Sequence, residues 1–114
     1  MLVVTRFAVD EAGGEAFSGR AVAALAVLAA RPGYLRGRLG RSVDEPSSWC
    51  LVTEWESVGA YRRALSAYDV KVSATPLLAE SLDEPSGYEI LARAEPGGEV
   101  LVSASDRAPE RPYR

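Results

Sequence analysis

Residues 49–55 read Trp-Cys-Leu-Val-Thr-Glu-Trp, and just beyond them the pattern of the chain changes its period. In an extended segment Trp49, Leu51, Thr53 and Trp55 point one way, while Cys50, Val52, Glu54 and Glu56 point the other. The aromatic face is the better candidate for a core. After Ser57 the apolar spacing becomes helical, with Val58, Tyr61, Leu65 and Tyr68 on one stripe. Ser57 is a natural N-cap, because its hydroxyl can accept a hydrogen bond from an amide in the helix's first turn. A strand that runs into a helix over this short stretch is the element around which the other segments can be placed.

Residues 2–9 form a first strand, with Val3, Thr5, Phe7 and Val9 on one face and Leu2, Val4, Arg6 and Ala8 on the other. From Glu15 the stripe Phe17, Ala21, Ala24, Leu25 and Leu28 marks a helix, which Arg31-Pro32-Gly33 terminates. Residues 34–43 alternate as a second strand, with Tyr34, Arg36, Arg38 and Gly40 on one face and Leu35, Gly37, Leu39 and Arg41 on the other, and the polar turn at residues 44–48 is of hairpin length, so this strand pairs antiparallel with the one from Trp49. A further short helix begins near Pro76, with Leu77, Leu78 and Leu82 facing inward, and residues 87–93 form a fourth strand. The order β-α-β-β-α-β, with weak similarity between its halves, is that of a ferredoxin-like α+β fold: a four-stranded antiparallel sheet with both helices on one face. The opposite face exposes Leu2, Val4, Cys50 and Val52. An apolar patch of this kind favours a homodimer closed sheet against sheet. Arg6 is expected in that interface or paired with Glu54.

At 114 residues, 47% hydrophobic, the chain accommodates one core, assigned to residues 1–93. Residues 94–114 read as a tail with one short strand at 99–103, able to pair on a partner's sheet edge, followed by a polar, disordered end. A net charge of -3 makes nucleic acid a poor partner. The single cysteine forms no internal disulfide, and no signal peptide or long apolar run is present, so a soluble, cytoplasmic protein without a membrane partner is expected. There is no phosphate loop, no metal-ligand cluster and, without histidine, no Ser-His-Asp set. Cys50, with no histidine to activate it, reads as an inert thiol.

Arg31-Pro32-Gly33 after the first helix, Trp55-Glu56-Ser57 at the strand end and Ala60-Tyr61 in the helix that follows resemble the antibiotic biosynthesis monooxygenase family of dimeric α/β barrels, over roughly residues 2–92. The resemblance implies a cleft between helices and sheet that takes an aromatic polyketide in cofactor-independent oxygenases, or haem in haem-degrading members. The haem branch uses a helix histidine, a strand asparagine and a helix tryptophan. This chain has no histidine or asparagine; Thr5 stands at the asparagine position and Ala64 near the tryptophan. In the oxygenase branch, Trp55 and Tyr61 match the family's strand tryptophan and helix tyrosine, while the asparagine four residues before that tryptophan is replaced by Leu51. Leucine cannot hydrogen-bond an anion or a peroxide as an amide can.

The resemblance thus makes Trp55 and Tyr61 the candidate catalytic residues and Thr5, Leu51, Thr53 and Tyr68 the candidate substrate contacts, with no cofactor and no metal. Two function classes stay open. One is a small monooxygenase acting without metal or flavin on an aromatic, polyketide-like molecule. The other is a non-catalytic dimeric module that binds a small aromatic or apolar ligand or serves association alone.

Overall fold

The computed structural model describes residues 1–105. β1 (Leu2–Ala8) leads through a short 3-10 turn at Glu11–Gly13 into α1 (Gly14–Ala29), then β2 (Tyr34–Arg41) and β3 (Ser48–Trp55) form a hairpin. α2 (Val58–Leu65), α3 (Tyr68–Ser73) and α4 (Thr75–Leu78) follow, and β4 (Gly87–Tyr88) returns to the sheet. The sheet order is β2-β3-β1-β4, antiparallel throughout. The ferredoxin-like α+β architecture expected from the alternation is therefore the one observed.

Strict alternation sets the two faces of the sheet. Val3, Thr5 and Phe7 of β1 and Trp49, Leu51, Thr53 and Trp55 of β3 are all buried beneath the helices. In register, Thr5 lies opposite Leu51 and Val3 opposite Thr53, so these side chains form one continuous inner surface. The helices meet it with Phe17, Ala21, Ala24 and Leu28 of α1, Ala60 and Ala64 of α2, and Val70 and Leu77 beyond. Alanine at the contacts lets the helix backbones approach closely. Larger rings then fill the ends of the layer: Phe7, Phe17 and Trp49 at one end, Tyr34, Trp55 and Tyr61 at the other.

Three segments depart from the sequence reading. The helical stripe breaks after α2, where Ala67 is extended (φ -69°, ψ 141°), and α3 starts on a new phase. Tyr68 consequently leaves the stripe of Val58, Tyr61 and Leu65. The expected strand over residues 87–93 divides in two. Tyr88 pairs with Leu2 at the first residue of β1, which exhausts that strand, and the chain turns away to form a hairpin of β5 (Ala92–Arg93) with β6 (Leu101–Val102). The segment expected as a strand at 99–103 thus pairs within its own chain. The expectation of disorder over 105–114 falls, apart from Ser105, outside the described residues. Leu82, expected to face inward, is exposed.

On the outer face, Leu2, Val4, Cys50 and Val52 are half-buried and lie on the side of the sheet opposite the core. Arg6 does not pair with Glu54. It binds Glu84 through two hydrogen bonds of 2.6 and 2.7 Å, and Glu54 is held by Arg36 at 2.6 Å, because register sets Arg36 directly opposite Glu54. The Arg6 hydrogen bond lowers the Glu84 pKa, so this contribution to stability is present above the ordinary carboxylate range and is lost as pH falls through the lowered value.

Gly33 carries the entry into β2. Its φ is +86°, and a Cβ there would lie 2.4 Å from the Cβ of Ala60. Its carbonyl also accepts the amide of Glu56 at 2.8 Å, tying the end of the first helix to the β3–α2 turn. Gly33→Ala is expected to destabilise the fold by about 2 kcal/mol or more in urea unfolding. Adding Ala60→Gly should recover the steric part of that loss and leave the backbone part.

Candidate functional site

Trp55 ends β3 with its side chain under α2, and it is 0% exposed. Its indole N–H donates to the Thr53 hydroxyl at 2.8 Å, which satisfies the one polar group that this burial removes from water. Tyr61 packs against it from α2, with ring centroids 5.4 Å apart and planes at 53°. That position depends on the cap predicted from the sequence: Ser57 accepts the Ala60 amide at 3.0 Å and starts α2 directly after the strand.

A second tyrosine completes the cluster. Tyr34 meets the Trp55 ring edge-on, with centroids 5.4 Å apart and planes at 84°. Sequence alternation assigned Tyr34 to the face of Arg36 and Arg38, but a bulge between Tyr34 and Arg36 shifts it inward. Gly37 makes the room, since a Cβ there would lie 2.5 Å from the Tyr34 hydroxyl and 2.8 Å from Leu25 Cδ1. The glycine within a strand was the available signal.

Burial raises the pKa of both Tyr61 and Tyr34 above the usual tyrosine range. At neutral pH each is a phenol, able to donate a hydrogen bond and unsuited to act as a base. The structure brings Thr5, Leu51, Thr53, Trp55 and Tyr61 along one inner surface, all but Tyr61 fully enclosed. Thr53 has its hydroxyl engaged by Trp55, which makes it a support for the ring. Tyr68 is 83% exposed and is not brought to the cluster, because the break at Ala67 turns it outward. A cleft of about 690 Å³ runs along the outer side of the β3–α2 turn, walled by Met1, Val58, Gly59, Arg62, Tyr88 and Ile90. Trp55 and Tyr61 do not line it. Among the described residues no group of acidic, cysteine or histidine side chains is arranged to hold a metal ion, and no helix is long and apolar enough to cross a membrane.

These features define a ferredoxin-like domain with an aromatic cluster where its third strand meets its second helical segment. The chain belongs to the antibiotic biosynthesis monooxygenase family, whose sequence model matches residues 1–73. Among solved structures it is similar to SnoaB, a cofactor-independent oxygenase from Streptomyces nogalater, at 29% identity, covering 79% of this chain and 94% of that one, with a TM-score of 0.56. A SnoaB variant with one asparagine changed to alanine matches at 26% identity over 94% and 93% of the two chains, with a TM-score of 0.57. A conserved protein from Methanosarcina mazei Go1 shares the fold at 19% identity, with 75% and 84% covered and a TM-score of 0.62. No curated protein matches the chain.

Two measurements check the cluster. Thr53→Val should cost about 1–3 kcal/mol by stranding the indole N–H, and clearly less in a Trp55→Phe background. In an ultraviolet phenolate titration the latest-titrating fraction should shrink in Tyr61→Phe. A raised folded pKa means that stability contributed by the buried phenol is present below the ordinary tyrosine value and is lost as pH rises through the raised one.

Proposed function

We propose that this chain is a cofactor-independent monooxygenase acting on an aromatic, polyketide-like molecule, with residues 1–93 as the catalytic unit. The observation that carries the reading is the Trp55–Tyr61 pair, packed at a strand–turn–helix junction within the residues that the family model matches. The similarity to SnoaB over most of both chains supports it.

In this reading the substrate supplies the electrons. An anthrone-type methylene next to a phenol or ketone loses a proton to give a delocalised anion, and oxygen adds at the carbon. One oxygen atom remains as a new carbonyl and the other leaves as water, so the two C–H bonds of the methylene are consumed. The protein holds the anion and excludes bulk water. Tyr61, kept as a neutral phenol by its burial, donates a hydrogen bond to the substrate oxyanion. Trp55, with 0% exposure, acts through Tyr61 as a positioning residue in place of the direct contact expected from the sequence. Leu51 offers no amide, and Thr5, directly opposite it in register, supplies the hydroxyl at that level of the inner face.

One observation favours a second reading. The enclosed state of Trp55, Thr5 and Leu51, together with the lack of an amide at Leu51, suits a non-catalytic dimeric module that binds a small apolar ligand. In either reading the functional unit is a homodimer closed through the outer face at Leu2, Val4, Cys50 and Val52.

Oxygen uptake with a panel of anthrones distinguishes the two. The monooxygenase reading expects turnover, reduced about 10²-fold in kcat by Tyr61→Phe and less by Thr5→Val. Equal rates in wild type and Tyr61→Phe would remove Tyr61 from the reaction. Quenching of tryptophan fluorescence by the same compounds without turnover would establish the binding module.

A further inference from the structure

β4 stops after Tyr88, and the chain that leaves it returns beside its own origin. The Ser103 amide donates to the Leu91 carbonyl at 2.8 Å, and the Ser105 hydroxyl donates to the Glu89 carboxylate at 2.8 and 2.9 Å. The end of β6 is thereby held as one wall of the cleft of about 690 Å³, and the β3–α2 turn with the start of α2 forms the wall that faces it. Small-molecule sites usually enclose about 300–1,000 Å³. Trp55 and Tyr61 do not line the cleft, so it is separate from the aromatic cluster.

Its walls combine an apolar surface with two charges. Met1, Val58, Tyr88 and Ile90 supply the apolar part, of which Val58 is 44% and Tyr88 48% exposed. The Tyr88 hydroxyl donates to the Pro85 carbonyl at 3.2 Å, which anchors the ring beside the opening. Arg62 and Glu56 supply the charges, on either side of the Ser57 cap. They form no ion pair with each other, and neither pairs with another charged group among the described residues. A neutral apolar ligand would cover both charges without satisfying either, and a simple cation or anion would leave one of them unmet. A molecule that carries an ammonium and a carboxylate on an apolar body meets all three parts of the wall.

We infer that this cleft binds an aromatic α-amino acid, with its carboxylate on Arg62, its ammonium on Glu56 and its ring against Val58, Tyr88 and Ile90. An arginine can hold a carboxylate through two parallel N–H donors, and a glutamate accepts from an ammonium. Both charges flank the start of α2, which suits a ligand whose own two charges share one carbon. The site does not depend on the oxygenase reading, because Thr5, Leu51, Trp55 and Tyr61 are all absent from its walls.

Isothermal titration calorimetry of the full chain with L-tryptophan, tryptamine and indole-3-propionate tests it. Tryptophan is expected to bind about fivefold or more tightly than tryptamine, which lacks the carboxylate, and than indole-3-propionate, which lacks the ammonium. Arg62→Ala should abolish the advantage over tryptamine while binding tryptamine no more weakly than wild type does. Glu56→Gln should abolish the advantage over indole-3-propionate in the same way. Circular dichroism checks that both variants keep the fold. Tyr61→Phe should leave tryptophan binding unchanged, and a loss there would overturn the inference by moving the ligand to the aromatic cluster. Equal affinities for the three compounds, wild-type tryptophan affinity in both charge variants, or no binding at millimolar tryptophan would each overturn it as well.

Discussion

The hydrogen bond from the Trp55 indole to Thr53 is small, but the organisation of the domain depends on it. Full burial of an indole contributes on the order of 4–5 kcal/mol from its apolar area. An N–H left without an acceptor would cancel about 1–3 kcal/mol of that gain. Thr53 lies two residues earlier on the same strand face, so the strand carries the acceptor for its own tryptophan. With the ring fixed, α2 closes over it through Tyr61 and Ala60, and Gly33 brings the first helix and β2 against the same junction. Trp49, at the other end of the strand, lacks such an acceptor among the described residues. It is held by Phe17 against one edge and by the Arg41 guanidinium 5.2 Å from its ring centroid.

The packing that secures the fold also constrains the chemistry. A ring with no exposed surface cannot touch a substrate, and phenols with raised pKa values cannot serve as bases at neutral pH. For the proposed oxygenation this leaves hydrogen-bond donation to an anion in a water-poor layer, with the acidity and the electrons coming from the substrate itself. Leu51 offers no donor, and in the proposed reaction the hydroxyls of Thr5 and Tyr61 take that part. The reaction proposed for this surface needs enclosure more than it needs acid and base groups.

The two faces of the sheet solve different problems. The inner one is buried beneath helices of the same chain. The outer one combines an apolar centre with ion pairs at its margins, Arg6–Glu84, whose solvent exposure makes it a weak contributor to stability, and Arg36–Glu54, whose carboxylate is largely covered. They do fix where charge lies around the apolar strip. Beside that strip stands a hairpin whose own register leaves valines in solvent.

Much of this was legible in the sequence because it depends on local rules. Alternation along residues 49–55 identified the buried face, Ser57 identified the cap, and the Pro-Gly pair at the end of the first helix located the turn. The contributions of Tyr34, Tyr68 and residues 87–93 were not legible in the same way. A bulge reversed the face of Tyr34, a single extended residue at Ala67 rotated Tyr68 into solvent, and the pairing of Leu2 with Tyr88 ended the fourth strand early. The sequence by itself determined the order of elements and which face of each central strand is buried, since periods of two and about 3.6 are properties of the backbone. Only the tertiary structure decided which aromatics meet and where the last strand leaves the sheet, because both depend on register between segments distant in the chain.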